Sequence, residues 1–250
     1  MKVVFHEKYR EVYSSDPASA SGRMEAIANE LQPMFEFVQP KQASEADLRL
    51  VHWQTHIDIV KAIPQIYDAA LLAVGGAIHV SEIAIQGEPV FGLIRPPGHH
   101  ASQNSSWGFC FFNNIAISVE RLRQRGLAKR ALIMDFDLHF GDGTANIFAG
   151  TSQVVYYHVE GANREEFIHN LASWIQNRKG FDLVAVSAGF DRHEQDWGGM
   201  LKTEDYKTIG ELIDEFAEKN CGGKRYAVLE GGYNHTVLGK NVKAFLEGFK

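Results

Sequence analysis

The sequence predicts an α/β fold, a single domain with a mostly parallel central sheet and helices on both faces. Two patterns predict it. Short apolar runs of strand type alternate with longer stretches of helical periodicity, the order that a parallel sheet with helical crossovers requires. Four clusters of polar residues then fall just beyond apolar runs, at His99-His100, at 135–142, at Asp191 and at Tyr233. In open parallel sheets, the edge beyond the carboxyl ends of the strands is where ligands bind.

In chain order, residues 3–5 read as a short strand, and Met24, Ile27 and Leu31 at helical spacing predict a helix over 22–31. Ser44 followed by Asp47 marks a helix start, with Leu48 and Val51 on its buried face. The isolated histidines His52, His56 and His79 read as structural or surface groups. A long helix is predicted over 67–86. Its Gly75-Gly76 pair costs about 1 kcal/mol per residue relative to alanine, which implies that another backbone or a substrate rim comes close there.

A buried strand over 90–94 ends at Arg95-Pro96-Pro97-Gly98-His99-His100. After a loop rich in Ser, Asn and Gly, Trp107-Gly108-Phe109-Cys110 leads into a helix over 115–125 closed by Gly126. Further strands are predicted at 129–136, 154–159, 181–187 and 225–229, and further helices at 165–177, 203–219 and 237–248. No repeat or linker divides the chain, and 250 residues can bury about 70 to 75% of the unfolded surface in one core.

With 25 basic and 31 acidic residues, a net charge of −6 and no basic run, nucleic-acid binding is not expected. The first residues lack the pattern of a secretory leader, and no window reaches the eighteen or so apolar residues that span a bilayer, so a cytoplasmic protein without a membrane partner is expected. Cys110 and Cys221 have no paired metal spacing, which fits a reducing compartment, and Cys110 reads as small apolar packing.

The stretch Asp135-Phe136-Asp137-Leu138-His139-Phe140-Gly141-Asp142 carries the chemistry. Three carboxylates and an imidazole at the end of a buried strand are too polar for a core unless paired or bound to a cation. On an extended backbone Asp135, Asp137 and His139 would share one face. Mixed carboxylate and imidazole ligation suits zinc or a similar first-row metal, iron(II) or cobalt(II) included, better than calcium.

Asp137 and His139 supply two ligands, and Asp191 at a neighbouring strand end is the best third, leaving a position open for water as in catalytic zinc sites. Amide hydrolysis also needs a base, an acid and an oxyanion donor. His99 and His100 can cover the first two roles, Asp135 and Asp142 can orient them, and Tyr233 on its Gly231-Gly232 turn can donate to the oxyanion.

Residues 95–100, 108–114, 135–144, 187–191 and 229–234, in this order, resemble the signature motifs of the histone deacetylase superfamily, which includes acetylpolyamine amidohydrolases and acetoin-utilisation proteins. The resemblance covers roughly residues 40–250 and implies an arginase/deacetylase-like fold. It further implies a zinc-dependent deacetylase or amidohydrolase holding one metal ion on Asp137, His139 and Asp191 and acting on acetyl-lysine, an acetylpolyamine or a related linear acyl-amine. His100 paired with Asp142 becomes the general base and acid, His99 paired with Asp135 the electrostatic partner, and Tyr233 the oxyanion donor. Phe109, with Gly108 giving it room, would line the substrate tunnel. A structural potassium ion is implied near Asp135 and the carbonyls of Asp137 and His139.

Three features depart from that pattern. Phe140 stands where the family often has a second histidine, and Val155-Tyr156-Tyr157-His158 stands where it usually has Ser-Leu-His, which puts a serine contribution to the potassium site in doubt. Only residues 159–190 separate His158 from Asp191, where the family carries a longer Gly-rich loop and an extra strand. That loop usually supplies the second wall of the tunnel. A shallower, more open pocket is therefore expected, formed mainly by Trp107, Phe109 and the Gly231-Gly232 turn. Two other readings compete: an arginase-type ureohydrolase, which would want an acid where His193 stands, and a non-catalytic acyl-binding module, which should have lost a ligand, a histidine or the tyrosine.

Overall fold

The computed structural model describes residues 1–250. Seven strands, β1 (Lys2–Val4), β2 (Glu36–Val38), β3 (Val90–Gly92), β4 (Ala131–Asp135), β5 (Val154–His158), β6 (Leu183–Ala188) and β7 (Arg225–Leu229), pair in parallel in the order β2-β1-β3-β7-β6-β4-β5. Every residue of β3, β4, β6 and β7 is buried, as expected of a parallel sheet covered on both faces.

The nine helices are α1 (Arg23–Leu31), α2 (Glu45–Leu48), α3 (Gln54–Lys61), α4 (Pro64–Ala84), α5 (Asn114–Gln124), α6 (Asp142–Phe148), α7 (Arg164–Gln176), α8 (Thr203–Cys221) and α9 (His235–Phe249). They form two layers. α4 packs on α5 and covers β3 and β7, whereas α8 packs on α9 and touches β6 and β7 from the other side. β3, β7, β6 and β4 are consecutive in the sheet, so the four polar clusters beyond their carboxyl ends share one crevice.

Several elements differ from expectation. β2, α3 and α6 carry too short or too polar a pattern to read as elements in the sequence. The helix begun at Ser44 is a single turn, α2, held by a reciprocal capping box between Ser44 and Asp47; Val51 is buried but lies beyond it. α4 has 21 residues and contains an 18-residue window with a mean hydropathy of 1.3, long and apolar enough by length and composition to cross a bilayer, which corrects the expectation that no window reaches that limit. Its side chains from Ala70 onward are instead largely buried between the sheet and α5. At Gly75 a side chain would collide with the backbone of Lys41 and Ala43, so the glycine pair admits a neighbouring backbone rather than a substrate.

Candidate active site

β4 ends at Asp135, and the chain then turns instead of running on extended. Oδ1 of Asp135 accepts the amide of Asp137 at 3.0 Å, and Oδ1 of Asp137 accepts the amide of His139 at 2.9 Å. Each acid thus ties down the backbone two residues on, the local bond that aspartate makes readily. The alternation expected of a strand does not apply here. Asp135 points toward His99, while Asp137 and His139 reach a different point together with Asp191.

At that point the carboxylate and imidazole ligand atoms of Asp137, His139 and Asp191 all lie within 4.8 Å of one another. Nδ1 of His139 is 3.3 Å from Asp137 Oδ1 and 3.2 Å from Asp191 Oδ2. Gly231 N donates to Asp137 Oδ2 at 2.8 Å, and Leu138 N donates to Asp191 Oδ1 at 3.0 Å. Oδ2 of Asp191 is buried with no well-directed hydrogen-bond donor, the His139 imidazole beside it being its charged neighbour.

The electrostatics agree. Burial, and then the charge of Asp137, push Asp191 up to about 6. Against its own burial, Asp137 is held below the usual carboxylate range by His99 and by bonds from His139 and Gly231. Contact with Asp137, and then with Asp191, raises His139 to about 10. A side chain at Gly231 would meet Asp191 Oδ2 at 2.7 Å, so glycine keeps the space between the two acids open. Two crowded buried carboxylates, one imidazole and one oxygen without a well-directed donor fit a divalent first-row cation.

Two histidines from the loop after β3 flank this point. Nδ1 of His99 is 3.0 Å from Asp135 Oδ2, and Nδ1 of His100 is 2.7 Å from Asp142 Oδ1. Asp142 opens α6, where the positive helix end favours an acid, and it also accepts Nε1–H of Trp107 at 3.1 and 2.9 Å. The rings of His99 and His100 lie 4.1 Å apart, and Trp107 covers His100 at 3.9 Å. Burial opposes charge on His99, but Asp137 and Asp135 outweigh it and raise the group well above 6.5. Burial, and then the charge of His99, lower His100. The environment therefore separates the pair into one charged and one neutral imidazole.

Gly108 and Phe109 both adopt left-handed backbone, φ 59° and 67°. For phenylalanine this is an unusual conformation of the kind that clusters at functional sites. It turns the Phe109 ring to within 6.0 Å of Tyr233 and 6.5 Å of Trp197. Tyr233 is fixed through its backbone, because its amide and that of Asn234 both donate to Asp196 Oδ2 at 2.8 Å. These groups surround a cavity of about 120 Å³ that opens onto His99, His100 and His139. His52 and His56 lie outside it as scaffold: His52 donates to the Ser102 carbonyl and accepts the Asn113 amide, and His56 meets the Phe111 carbonyl.

A family model for the histone deacetylase domain matches residues 16–170 and 160–249. The chain belongs to the histone deacetylase family. It is 31% identical over 304 aligned residues to a probable deacetylase of Methanothermobacter thermautotrophicus, covering 98% of this chain and 90% of that one. It is 30% identical to the acetylpolyamine amidohydrolase of Mycoplana ramosa, covering 74% of this chain and 64% of that protein. The crystal structure of the HDA15 HD domain has the same fold, with a TM-score of 0.84 at 23% identity over 99% of this chain and 88% of that one.

Against its deacetylase relatives the chain is short, since the first alignment is longer than the 250 residues available. The two matched stretches of the domain meet at 160–170, in the connection between β5 and β6 where the sequence is shorter than the family pattern. The lining expected from Trp107, Phe109 and the Gly231-Gly232 turn lacks one group that the structure adds. Trp197, in the loop after Asp191, stacks on Tyr233 at 4.1 Å and faces Phe109 across the cavity.

Gly198 N donates to the Asp191 carbonyl at 2.7 Å, folding this loop back so that the tryptophan reaches the site. In the sequence Trp197 stands only as a tryptophan between Asp196 and Gly198-Gly199, turn residues that do not say which way it points. Gly231 lines the cavity as expected, but Gly232 faces Leu238 and Phe190 and gives its carbonyl to Arg23, so it is not a lining residue. Phe140 lies outside the cavity, half-exposed beside Tyr156 and His158.

Proposed function

We propose that this deacetylase-family chain is a metal-dependent amidohydrolase that removes acetyl or related acyl groups from an amine of the acetyl-lysine or acetylpolyamine kind, with one zinc ion, or iron(II) or cobalt(II), on Asp137, His139 and Asp191. The single observation that carries the reading is the convergence of those three ligand groups beside two histidines paired to separate carboxylates. When bound, the metal supplies Lewis acidity at the scissile carbonyl and at the attacking water.

The residues of the chain divide the remaining work. His100, neutral and oriented by Asp142, takes the proton of the water and returns it to the leaving amine. His99, paired through Nδ1 with the Asp135 carboxylate, stands beside it as the electrostatic partner. The Tyr233 hydroxyl, which burial and then Asp137 and Asp191 keep protonated, donates to the carbonyl oxygen as it gains charge. Phe109 and Trp197 line the cavity that would receive the alkyl chain.

A ureohydrolase reading is not favoured, because His193 engages the Gln195 amide and Thr203 and supplies no bridging acid. The test is acetate release by zinc-loaded protein from acetyl-lysine peptides, acetylpolyamines and small acyl amides. Turnover of at least one class that a chelator abolishes is expected. Binding without turnover across the whole panel would contradict the proposal.

A further inference from the structure

The loop that carries Asp137 and His139 has a second side, remote from the cavity. There the carbonyls of Phe136, Asp137 and Leu138 converge with that of Val159 on the guanidinium of Arg192. Nε of Arg192 donates to Asp137 O at 3.1 Å and to Phe136 O at 3.3 Å, while Nη2 donates to Val159 O at 3.2 Å, to Leu138 O at 3.4 Å and to Nε2 of His158 at 3.1 Å. The residue is 6% exposed, with the ring of Phe167 5.0 Å from the guanidinium carbon. Its partners are four carbonyls and an imidazole rather than a carboxylate.

Two of the donors that the family resemblance assigns to a potassium ion, the Asp135 carboxylate and the Asp137 carbonyl, are engaged here by the chain itself. Asp135 Oδ1 accepts the Asp137 amide, and Oδ2 accepts the Tyr156 hydroxyl at 2.9 Å beside His99. Tyr156 stands where the family usually has serine, and its oxygen also accepts Gly141 N at 2.8 Å. The carbonyl of Asp137 is taken by Arg192. The residues present do not fit the ion.

We propose that Arg192 and Tyr156 together replace the structural monovalent cation: the guanidinium gathers the carbonyls of the ligand loop, the tyrosine hydroxyl locks Asp135 to Gly141, and the loop holds its shape without potassium. Buried carbonyls must find donors. A free ion supplies them only in proportion to its concentration, whereas a tethered, planar, permanently charged fork supplies several at once. The same charge stands behind Asp135, Asp137 and Asp191. Arg192 is thus a positioning residue for the metal ligands, an inference that rests on reading Asp137 and His139 as ligands.

The experiment is thermal unfolding of the zinc-loaded protein in tetramethylammonium buffer, titrated with KCl at constant ionic strength. For the wild type the Tm should move by less than about 1 °C up to about 100 mM potassium. A saturable, potassium-specific rise of several degrees would overturn the proposal. Zinc affinity, measured by chelator competition, should fall about 10- to 100-fold in Arg192→Met and recover only in part in Arg192→Lys, which restores the charge but not the planar fork. The double variant Arg192→Met with Tyr156→Ser should acquire the potassium-dependent Tm that the wild type lacks.

Unchanged zinc affinity in Arg192→Met would also overturn the proposal, and should that variant not fold, the wild-type titration alone decides. Because Tm needs no turnover, the two readings fail separately. An inert protein indifferent to potassium would sink the hydrolase reading and leave this one, and an active protein stabilised by potassium would do the reverse.

Discussion

Replacing Trp197 by alanine tests the wall that sequence patterns did not foretell. The indole lies 4.1 Å from Tyr233, 6.0 Å from His139 and 6.5 Å from Phe109 and lines the cavity with them, so an alkyl chain entering the cavity runs along it. Full burial of a four-carbon stem is worth about 3 kcal/mol at ~0.8 kcal/mol per CH₂. Losing one of two walls forfeits roughly half of that, about 1.5 kcal/mol, or about tenfold in kcat/KM.

The stem makes the same contacts before and during reaction, so the loss belongs mainly in KM. The lost stack on Tyr233 removes about 1 kcal/mol of stability, a Tm decrease of roughly 2–4 °C for a chain of this length. Steady-state acetate release from an acetylated linear amine, with Trp197→Phe for comparison, reads the effect. If Trp197→Ala stays within about twofold of wild type in kcat/KM, well short of the tenfold, or if phenylalanine restores nothing, Trp197 is not a wall.

Two further predictions concern titration. A base at His100 must be neutral, and burial with the neighbouring His99 charge holds it below 6.5, so kcat/KM should fall with acid only below pH 6.5. Asp142→Asn, which removes a contact that raises His100, should move that limb lower still, and a limb centred above neutrality would contradict the assignment. Glu230 is buried, and burial lifts it to about 7 from an ordinary 4.5. Its folded value lies above its unfolded one, so the stability it contributes is lost as pH rises between 4.5 and about 7. Glu230→Gln keeps an acceptor for the Gly98 amide, and the difference between its Tm and that of the wild type should therefore grow from pH 5 to pH 8 in its favour; a constant difference would contradict this.

The fold was legible where the core is continuous. The apolar runs of β3, β4, β6 and β7 could be read because these strands are buried on both faces, and they are the ones that carry the site. β2 was not legible, being a half-exposed three-residue edge whose pattern is too short for periodicity. α6 was hidden because its first turn is built from Asp142, Gly143 and Thr144, residues chosen for contacts to the loop after β3 rather than for helical amphipathicity.

The site itself was half legible. Clustered acids and histidines announce themselves, since their burial demands partners. The reason for their placement was misread at Asp135–His139, where a turn closed by side-chain-to-amide bonds, not strand alternation, separates Asp135 from Asp137. Trp197, Tyr156 and Arg192 were missed for a common reason. Each acts through tertiary contacts across the sheet edge, and no local spacing encodes those.

The most direct measurement is the rate of acetate release by zinc-loaded Tyr233→Phe. The substitution leaves the ring on Trp197 and the backbone on Asp196 and deletes only the hydroxyl. A fall in kcat of about 100- to 1,000-fold is predicted, with KM little changed and Tm within about 2 °C of wild type. A variant that keeps its rate within about tenfold would show that this hydroxyl does not stabilise the developing oxyanion and that the proposed division of roles is wrong.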